Sequence, residues 1–326
     1  MPDLSTNDAA IPPKGESMPE VSATTAETAA ETKSPASSIP LPWSQFIRSA
    51  SSAEIEERFV SEAKAIISSV PAVGDHYDIV ALFGPEESIG QFELDNMARA
   101  LLKPSIGEKD VLLLLLSPGG SIEPAYQISK LCKQAGKRFV VCIPRQAKSA
   151  ATLIALGADE IHMGYLGQLG PIDPQVQGLP ALGVSQALET LATLVERHPA
   201  SAEMFAAYLK DAVKVEQIGY YDRICESAMQ YAERLLSNKS QLPKSAKEIA
   251  HELVHEYKDH GFVIDIEEAI IHLGGDFVKV ATNETHVAER FYSLFDLVNL
   301  FLRVYQSKKL FLAGSLDEGI FIWNRN

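Results

Sequence analysis

The feature that most constrains the fold of this 326-residue chain is the run DVLLLLL at residues 110–116, in which six consecutive residues are apolar. A strand with one solvated face alternates apolar and polar side chains, whereas a strand covered on both faces is apolar throughout. A Ser-Pro-Gly-Gly turn ends the run, and a helical pattern follows over residues 122–135. With similar strands predicted over residues 78–83 and 138–143, the pattern indicates an α/β fold around a parallel sheet.

Composition divides the chain into three parts. Residues 1–40 are rich in Ser, Thr, Ala, Pro and Glu and contain no aromatic residue. Such a segment cannot bury enough apolar surface to offset the entropy of ordering, so we predict a disordered arm. Residues 41–184 carry the α/β pattern and are predicted to form the core, and residues 185–326 are predicted to form a helical C-terminal region.

Charge and cysteine content restrict the partners and the compartment. A net charge of −14 gives a surface that repels nucleic acid and anionic membranes, so neither is expected as a partner. The apolar runs are too short to cross a bilayer, and the N-terminus lacks a basic stretch followed by an apolar one, so no integral membrane segment is expected. Three scattered cysteines, Cys132, Cys142 and Cys225, indicate a reducing, cytoplasmic compartment.

Two strand-to-helix junctions carry the residues suited to chemistry. At the first, Gly119 and Gly120 leave backbone N–H groups unobstructed beside a helix N-terminus, which suits a developing oxyanion. At the second, Ser149 begins an apolar helix, and the small Ala150 and Ala151 leave room for a substrate. Either junction alone is usually a plain turn or a helix cap. Their combination at strand ends of one α/β unit favours acyl transfer.

Three segments, SPGGSIEPA, KSAATLIALGADEIHM and LGQLGPIDPQ, together resemble the serine dehydrogenase proteinase family, which is related to signal peptide peptidase A. The resemblance is clear over residues 78–175 and looser up to DHGFVID at residues 259–265. It implies a Clp/crotonase-like α/β fold of stacked ββα units, self-association into a homo-oligomer, and serine peptidase activity on a peptide or protein substrate.

The resemblance also implies roles for particular residues. By position, Ser149 matches the nucleophile, Gly119 and Gly120 match the oxyanion-hole turn, and the N–H of Ala150 matches the second donor. The chain has no P-loop and no G-x-G-x-x-G after a strand, so ATP coupling, dehydrogenase chemistry and a cofactor are not expected.

The general base stays open at this stage. Clp-type enzymes use a His and an Asp, but the matching turn at residues 170–175 has an Asp and no His. Signal peptide peptidases use a Lys, and the matching window has none. Lys148 adjoins Ser149, yet neighbouring side chains in an extended turn point apart. Four candidates remain, with the first ranked highest: Lys214, Lys210, His260 and Asp173.

A competing motif, HELVH, places His251 and His255 one helical turn apart with Glu252 between them. On a helix, this spacing suits a zinc ion with the Glu as general base. The metzincin extension is absent, and Glu284 is a possible third ligand with nothing to single it out. A zinc metallopeptidase is therefore one alternative. A catalytically inactive Clp-fold scaffold, motivated by the missing base, is another.

Overall fold

The structure is a computed structural model that describes residues 41–176, 178–212 and 214–325. The predicted N-terminal arm lies outside the described residues. The α-helices are α1 Trp43–Phe46, α2 Ser52–Ser68, α3 Pro71–Gly74, α4 Gln91–Leu101, α5 Ile122–Ala135, α6 Ala150–Leu156, α7 Leu182–Arg197, α8 Ala202–Ala212, α9 Val215–Leu236, α10 Ala246–His251, α11 Ile266–Leu273 and α12 Asn283–Gln306. The strands are β1 Tyr77–Phe83, β2 Asp110–Leu116, β3 Phe139–Ile143, β4 Gln146–Ala147, β5 Glu160–Met163, β6 Gln168–Leu169, β7 Gln175–Val176, β8 Leu179–Pro180, β9 Val278–Val280, β10 Lys308–Gly314 and β11 Ile320–Asn324.

A seven-stranded sheet in the order β11-β10-β1-β2-β3-β5-β9 forms the centre of the molecule. The strands from β1 to β9 in this order pair in parallel, and β10 and β11 add an antiparallel edge. Strand β2 is buried at all seven residues. The predicted α/β fold with a mostly parallel sheet is therefore confirmed.

Strand β2 supplies both hydrophobic cores because successive side chains of a strand point to opposite faces. Leu113 and Leu115 pack into the core that α4, α5, α6 and α9 cover. Leu112 and Leu114 pack into the core on the other face, which α2 and α12 cover. The uninterrupted apolar run is thus explained by helices on both faces of the sheet.

The region from residue 185 onward contains the predicted helices and also three strands of the central sheet. Strand β9 pairs with β5, and β10 pairs with β1. The sequence patterns did not predict these strands, and a strand as short as VKV in β9 carries almost no periodic signal. Within the described ranges, every helix is too short or too polar to span a membrane.

Candidate active site

Ser149 occupies a strained corner between β4 and α6. Its φ of 53° and ψ of −122° lie in a region that costs a non-glycine residue about 1–3 kcal/mol. Its hydroxyl makes no capping hydrogen bond to α6, so it does not play the usual part of a serine at a helix start. All seven residues of α6 are buried, and this packing holds the corner in its strained form.

The glycine turn after β2 lies directly against this corner. Gly119 has a φ of +114°, and a Cβ atom there would lie 2.6 Å from the Cβ atom of Ser149. Gly120 has a φ of +152°, and a Cβ atom there would lie 2.3 Å from the backbone nitrogen of Ile89. Both positions therefore require glycine, and the structure brings the two predicted junctions into contact.

Two backbone donors at this contact are free. The N–H of Gly119 donates to Oγ of Ser117 at 3.1 Å and is already satisfied. Among the described residues, no acceptor lies on the N–H of Gly120 or of Ala150. Ala150 is the first residue of α6, where backbone donors lack partners and the helix dipole is positive. The pair suited to an oxyanion is thus Gly120 and Ala150.

Two of the candidate bases, His260 and Asp173, form a hydrogen-bonded pair. Nδ1 of His260 lies 2.8 Å from Oδ1 of Asp173, and Oδ2 of Asp173 accepts a 2.8 Å hydrogen bond from the side chain of Gln175. The Asp173 side chain is buried, whereas that of His260 is 30% exposed. Because an ionised carboxylate only accepts, Nδ1 of His260 carries the hydrogen, which leaves Nε2 as an acceptor.

One cavity of about 550 Å³ joins these groups. Ser149, Gly120, Ala150 and His260 all line it. Apolar side chains from α6, α9 and the turn before Asp173 form much of its remaining wall: Leu153, Ile172, Ile224 and Ala228.

The Asp173 turn is fixed to α6 by a buried threonine. Oγ1 of Thr152 lies 2.7 Å from the carbonyl oxygen of Ala147 and 2.9 Å from that of Gly170, and it accepts from the N–H of Gly170 at 3.1 Å. Leu169 and Ile264 then exchange two backbone hydrogen bonds of 2.9 and 3.1 Å. These contacts bring the segment that follows His260 beside the Asp173 turn.

The two candidate lysines lie elsewhere. Lys214 is exposed at the residue before α9, and Lys210 is exposed near the end of α8. Neither lines the cavity that contains Ser149. The His260–Asp173 pair joins residues 87 positions apart in the chain, so no local motif signals it.

The HELVH segment begins at the end of α10 and continues as a π-helical turn, Glu252–Glu256. The carboxylate of Glu252 is bound by Lys244 at 2.6 Å and by Nδ1 of His272 at 2.7 Å. In the part of the chain that the structure describes, no three His, Cys, Asp or Glu side chains form a group that could hold a metal ion. His251 and His255 therefore gain no support as zinc ligands.

A family model described as a ClpP-like SDH-type serine proteinase matches residues 93–311, which is more than half of the chain. The chain belongs to this family. The resemblance and the Clp-like fold inferred from the sequence are thereby confirmed, and membership indicates a ClpP-like serine protease.

Two proteins with similar sequences are both described as uncharacterized. The chain is 29% identical over 230 residues to the uncharacterized protein MJ0137 of Methanocaldococcus jannaschii, covering 67% of this chain and 72% of that one. It is 39% identical over 75 residues to the uncharacterized protein MJ1495 of the same organism, covering 23% of this chain and 26% of that one.

Solved structures of the 1510-N membrane-bound stomatin-specific protease are also similar. One single-residue mutant of it has a TM-score of 0.41 at 15% identity, covering 76% of this chain and 92% of that chain. A second mutant, in complex with a substrate peptide, has a TM-score of 0.41 at 16% identity, covering 76% of this chain and 87% of that chain.

Proposed function

We propose that this chain is an ATP-independent serine peptidase that cleaves peptide bonds through an acyl-enzyme on Ser149. One observation supports this most strongly. A single cavity contains the unused hydroxyl of a strained corner, the free N–H groups of Gly120 and Ala150, and a His260 ring that is paired with a buried carboxylate. A nucleophile, a base with its orienting partner, and two oxyanion donors are the groups that acyl transfer requires.

His260 is the general base in this proposal. Nδ1 is occupied by Asp173, so Nε2 accepts the proton of Ser149 Oγ as this oxygen attacks the peptide carbonyl. The same proton then passes from Nε2 to the leaving amine, and the C–N bond breaks to give the acyl-enzyme. Nε2 then removes a proton from water, which attacks the ester; the C–Oγ bond breaks, Nε2 returns the proton to Oγ of Ser149, and the acid is released. Asp173 stays ionised and holds the ring in the correct tautomer.

The oxyanion of each tetrahedral intermediate accepts hydrogen bonds from Gly120 and Ala150. Losing one such donor raises the barrier by about 3 kcal/mol, so the two are a major part of the rate. Gly119 has a different part here. Its N–H is bound to Ser117, and its missing side chain permits the contact with Ser149.

The proposal is tested by the residue that an active-site probe modifies. A fluorophosphonate added to the folded full chain is expected to form one adduct, which peptide mass spectrometry locates on Ser149. Heat-denatured protein is the control and should not react, because the serine is activated only by the assembled site. An adduct on another residue contradicts the assignment. A folded protein that never reacts is instead the result expected of an inactive scaffold.

We also infer that the chain self-associates through helices α7 and α8. Each residue of α7 is exposed or half-buried, and Met204 and Tyr208 on α8 are 61% and 69% exposed. A second copy would cover these apolar side chains. Sedimentation velocity is expected to give a mass above that of one 35.5 kDa chain, and a monomer at micromolar concentration contradicts this.

A cytoplasmic location stays a prediction, which rests on the three unpaired cysteines.

A further inference from the structure

Lys148, the residue before Ser149, directs its side chain to the segment that carries His260. Its Nζ donates to the carbonyl oxygen of Gly261 at 2.7 Å and lies 3.3 Å from that of Phe262. These two residues follow His260 directly. The ammonium group of Lys148 therefore connects the corner that carries Ser149 to the loop that carries His260, through hydrogen bonds that its charge strengthens.

The loop depends on such contacts because it has little apolar anchoring. Residues 258–263 are exposed or half-buried throughout, and the next buried side chain is Ile264. The hydrogen bonds from the N–H groups of Gly261 and Phe262 both go to Asp259, within the loop itself. The ring of Phe262 packs on that of Tyr257 at a centroid distance of 4.9 Å. A segment with so little buried apolar surface opens at a low free-energy cost, so polar contacts to the rest of the molecule help to determine its position.

The backbone of Lys148 is fixed independently of its side chain. Its N–H donates to the carbonyl of Ser117 at 3.1 Å, and its carbonyl accepts from the N–H of Ala151 at 2.9 Å. Burial lowers the pKa of the Lys148 ammonium, and the nearby Asp259 carboxylate opposes this effect. The Lys148 side chain is thus a partly desolvated hydrogen-bond donor that extends from a fixed backbone position to a loosely held loop.

We propose that Lys148 is a positioning residue that holds the His260 loop at the distance from Ser149 that proton transfer requires. This inference rests on the proposed function and extends it, since Lys148 acts through His260 and touches no reacting atom. Asp173, which pairs with Nδ1 of His260, sets the orientation of the imidazole ring, whereas Lys148 sets the position of the loop that carries His260.

The test separates binding from reaction with a fluorophosphonate whose inhibition constant and maximal rate of phosphonylation are measured independently. Lys148→Met is expected to lower the maximal rate about 10- to 100-fold, because a misplacement of about 1 Å costs this much in an aligned reaction. The inhibition constant should change less than about twofold, since the oxyanion donors and the cavity walls other than His260 stay in place. Lys148→Arg keeps a charged donor and is expected to restore part of the rate.

Lys258→Met is the matched control. Lys258 is an exposed lysine two positions before His260. Its replacement removes one positive charge near His260 and keeps the hydrogen bonds from Lys148 to the loop, so the maximal rate should stay within about twofold of the wild type. Circular dichroism and the unfolding midpoint check that Lys148→Met is folded, and Lys148→Gln is the second variant if it is not.

Two failures are distinguishable. An unchanged maximal rate in a folded Lys148→Met or Lys148→Gln, with an active wild type, overturns the positioning role and leaves the serine peptidase proposal intact. Equal losses in Lys148→Met and Lys258→Met also overturn it, because charge alone then explains the effect. A wild type that is never phosphonylated overturns the proposed function itself.

Discussion

Replacing His260 by alanine is expected to lower the rate of peptide cleavage by about 10⁴- to 10⁶-fold, to nearly the level of Ser149→Ala. Without the imidazole, the Ser149 hydroxyl loses the group that the proposed mechanism assigns as its proton acceptor. The measurement is the cleavage rate of a fluorogenic peptide that the wild type hydrolyses. The remaining rate reflects substrate binding and the two oxyanion donors, which both variants retain.

A double variant tests whether these residues act as one unit. Ser149→Ala with His260→Ala is expected to be no slower than Ser149→Ala alone, because a base has no function without its nucleophile. Lys210→Ala and Lys214→Ala are the controls, and each should stay within about twofold of the wild type, since surface lysines remote from the cavity contribute little. Full activity in His260→Ala together with a large loss in Lys214→Ala would return Lys214 to the position of general base.

Replacing Gly119 by alanine is expected to lower the maximal rate of phosphonylation more than about 100-fold, because displacing the reacting groups by about 1 Å has this effect. The new methyl group would lie 2.6 Å from the Cβ atom of Ser149 and 2.8 Å from the carbonyl oxygen of Lys148. One of the two junctions must therefore move. The positive φ adds a further cost of about 1–2 kcal/mol in the free energy of unfolding.

Gly178→Ala separates the two effects. Gly178 also has a positive φ, of +79°, but an added Cβ atom there would meet nothing within 4 Å. This variant is expected to lose about 1 kcal/mol of stability to backbone strain and to keep its rate of phosphonylation. Urea unfolding and the same probe measure both quantities. If Gly119→Ala reacts as fast as Gly178→Ala, the contact between the glycine turn and Ser149 is not important for the chemistry.

Several features of the site could be predicted from the sequence because each depends on residues that are close together in the chain. The all-apolar run at β2 predicts a strand covered on both faces, since burial on both sides leaves no position for a polar residue. The turn at Gly119 and Gly120 and the serine before an apolar helix are likewise short patterns with a direct physical meaning. The family motifs around Ser149 then connect the two junctions, and the structure brings them together.

The hydrogen-bond partners at the site could not be predicted from the sequence. Gly119 and Gly120 are equivalent in sequence, and only the hydroxyl of Ser117, which occupies the N–H of Gly119, distinguishes them as donors. Strands β9, β10 and β11, which complete the two sides of the sheet, were also missed, because strand formation there depends on the neighbour with which each strand pairs.

By itself, therefore, the sequence determined the parallel sheet, the two junctions at its strand ends and the serine that begins α6, since each depends on neighbouring residues and on burial. Only the tertiary structure decided that His260 pairs with Asp173. It also decided that the side chain of Lys148 donates a hydrogen bond to the carbonyl oxygen of Gly261, the residue after His260. The pairing of His260 with Asp173 spans 87 residues. Its geometry depends on how exposed loops pack on the finished core, and no periodic pattern in the chain encodes that.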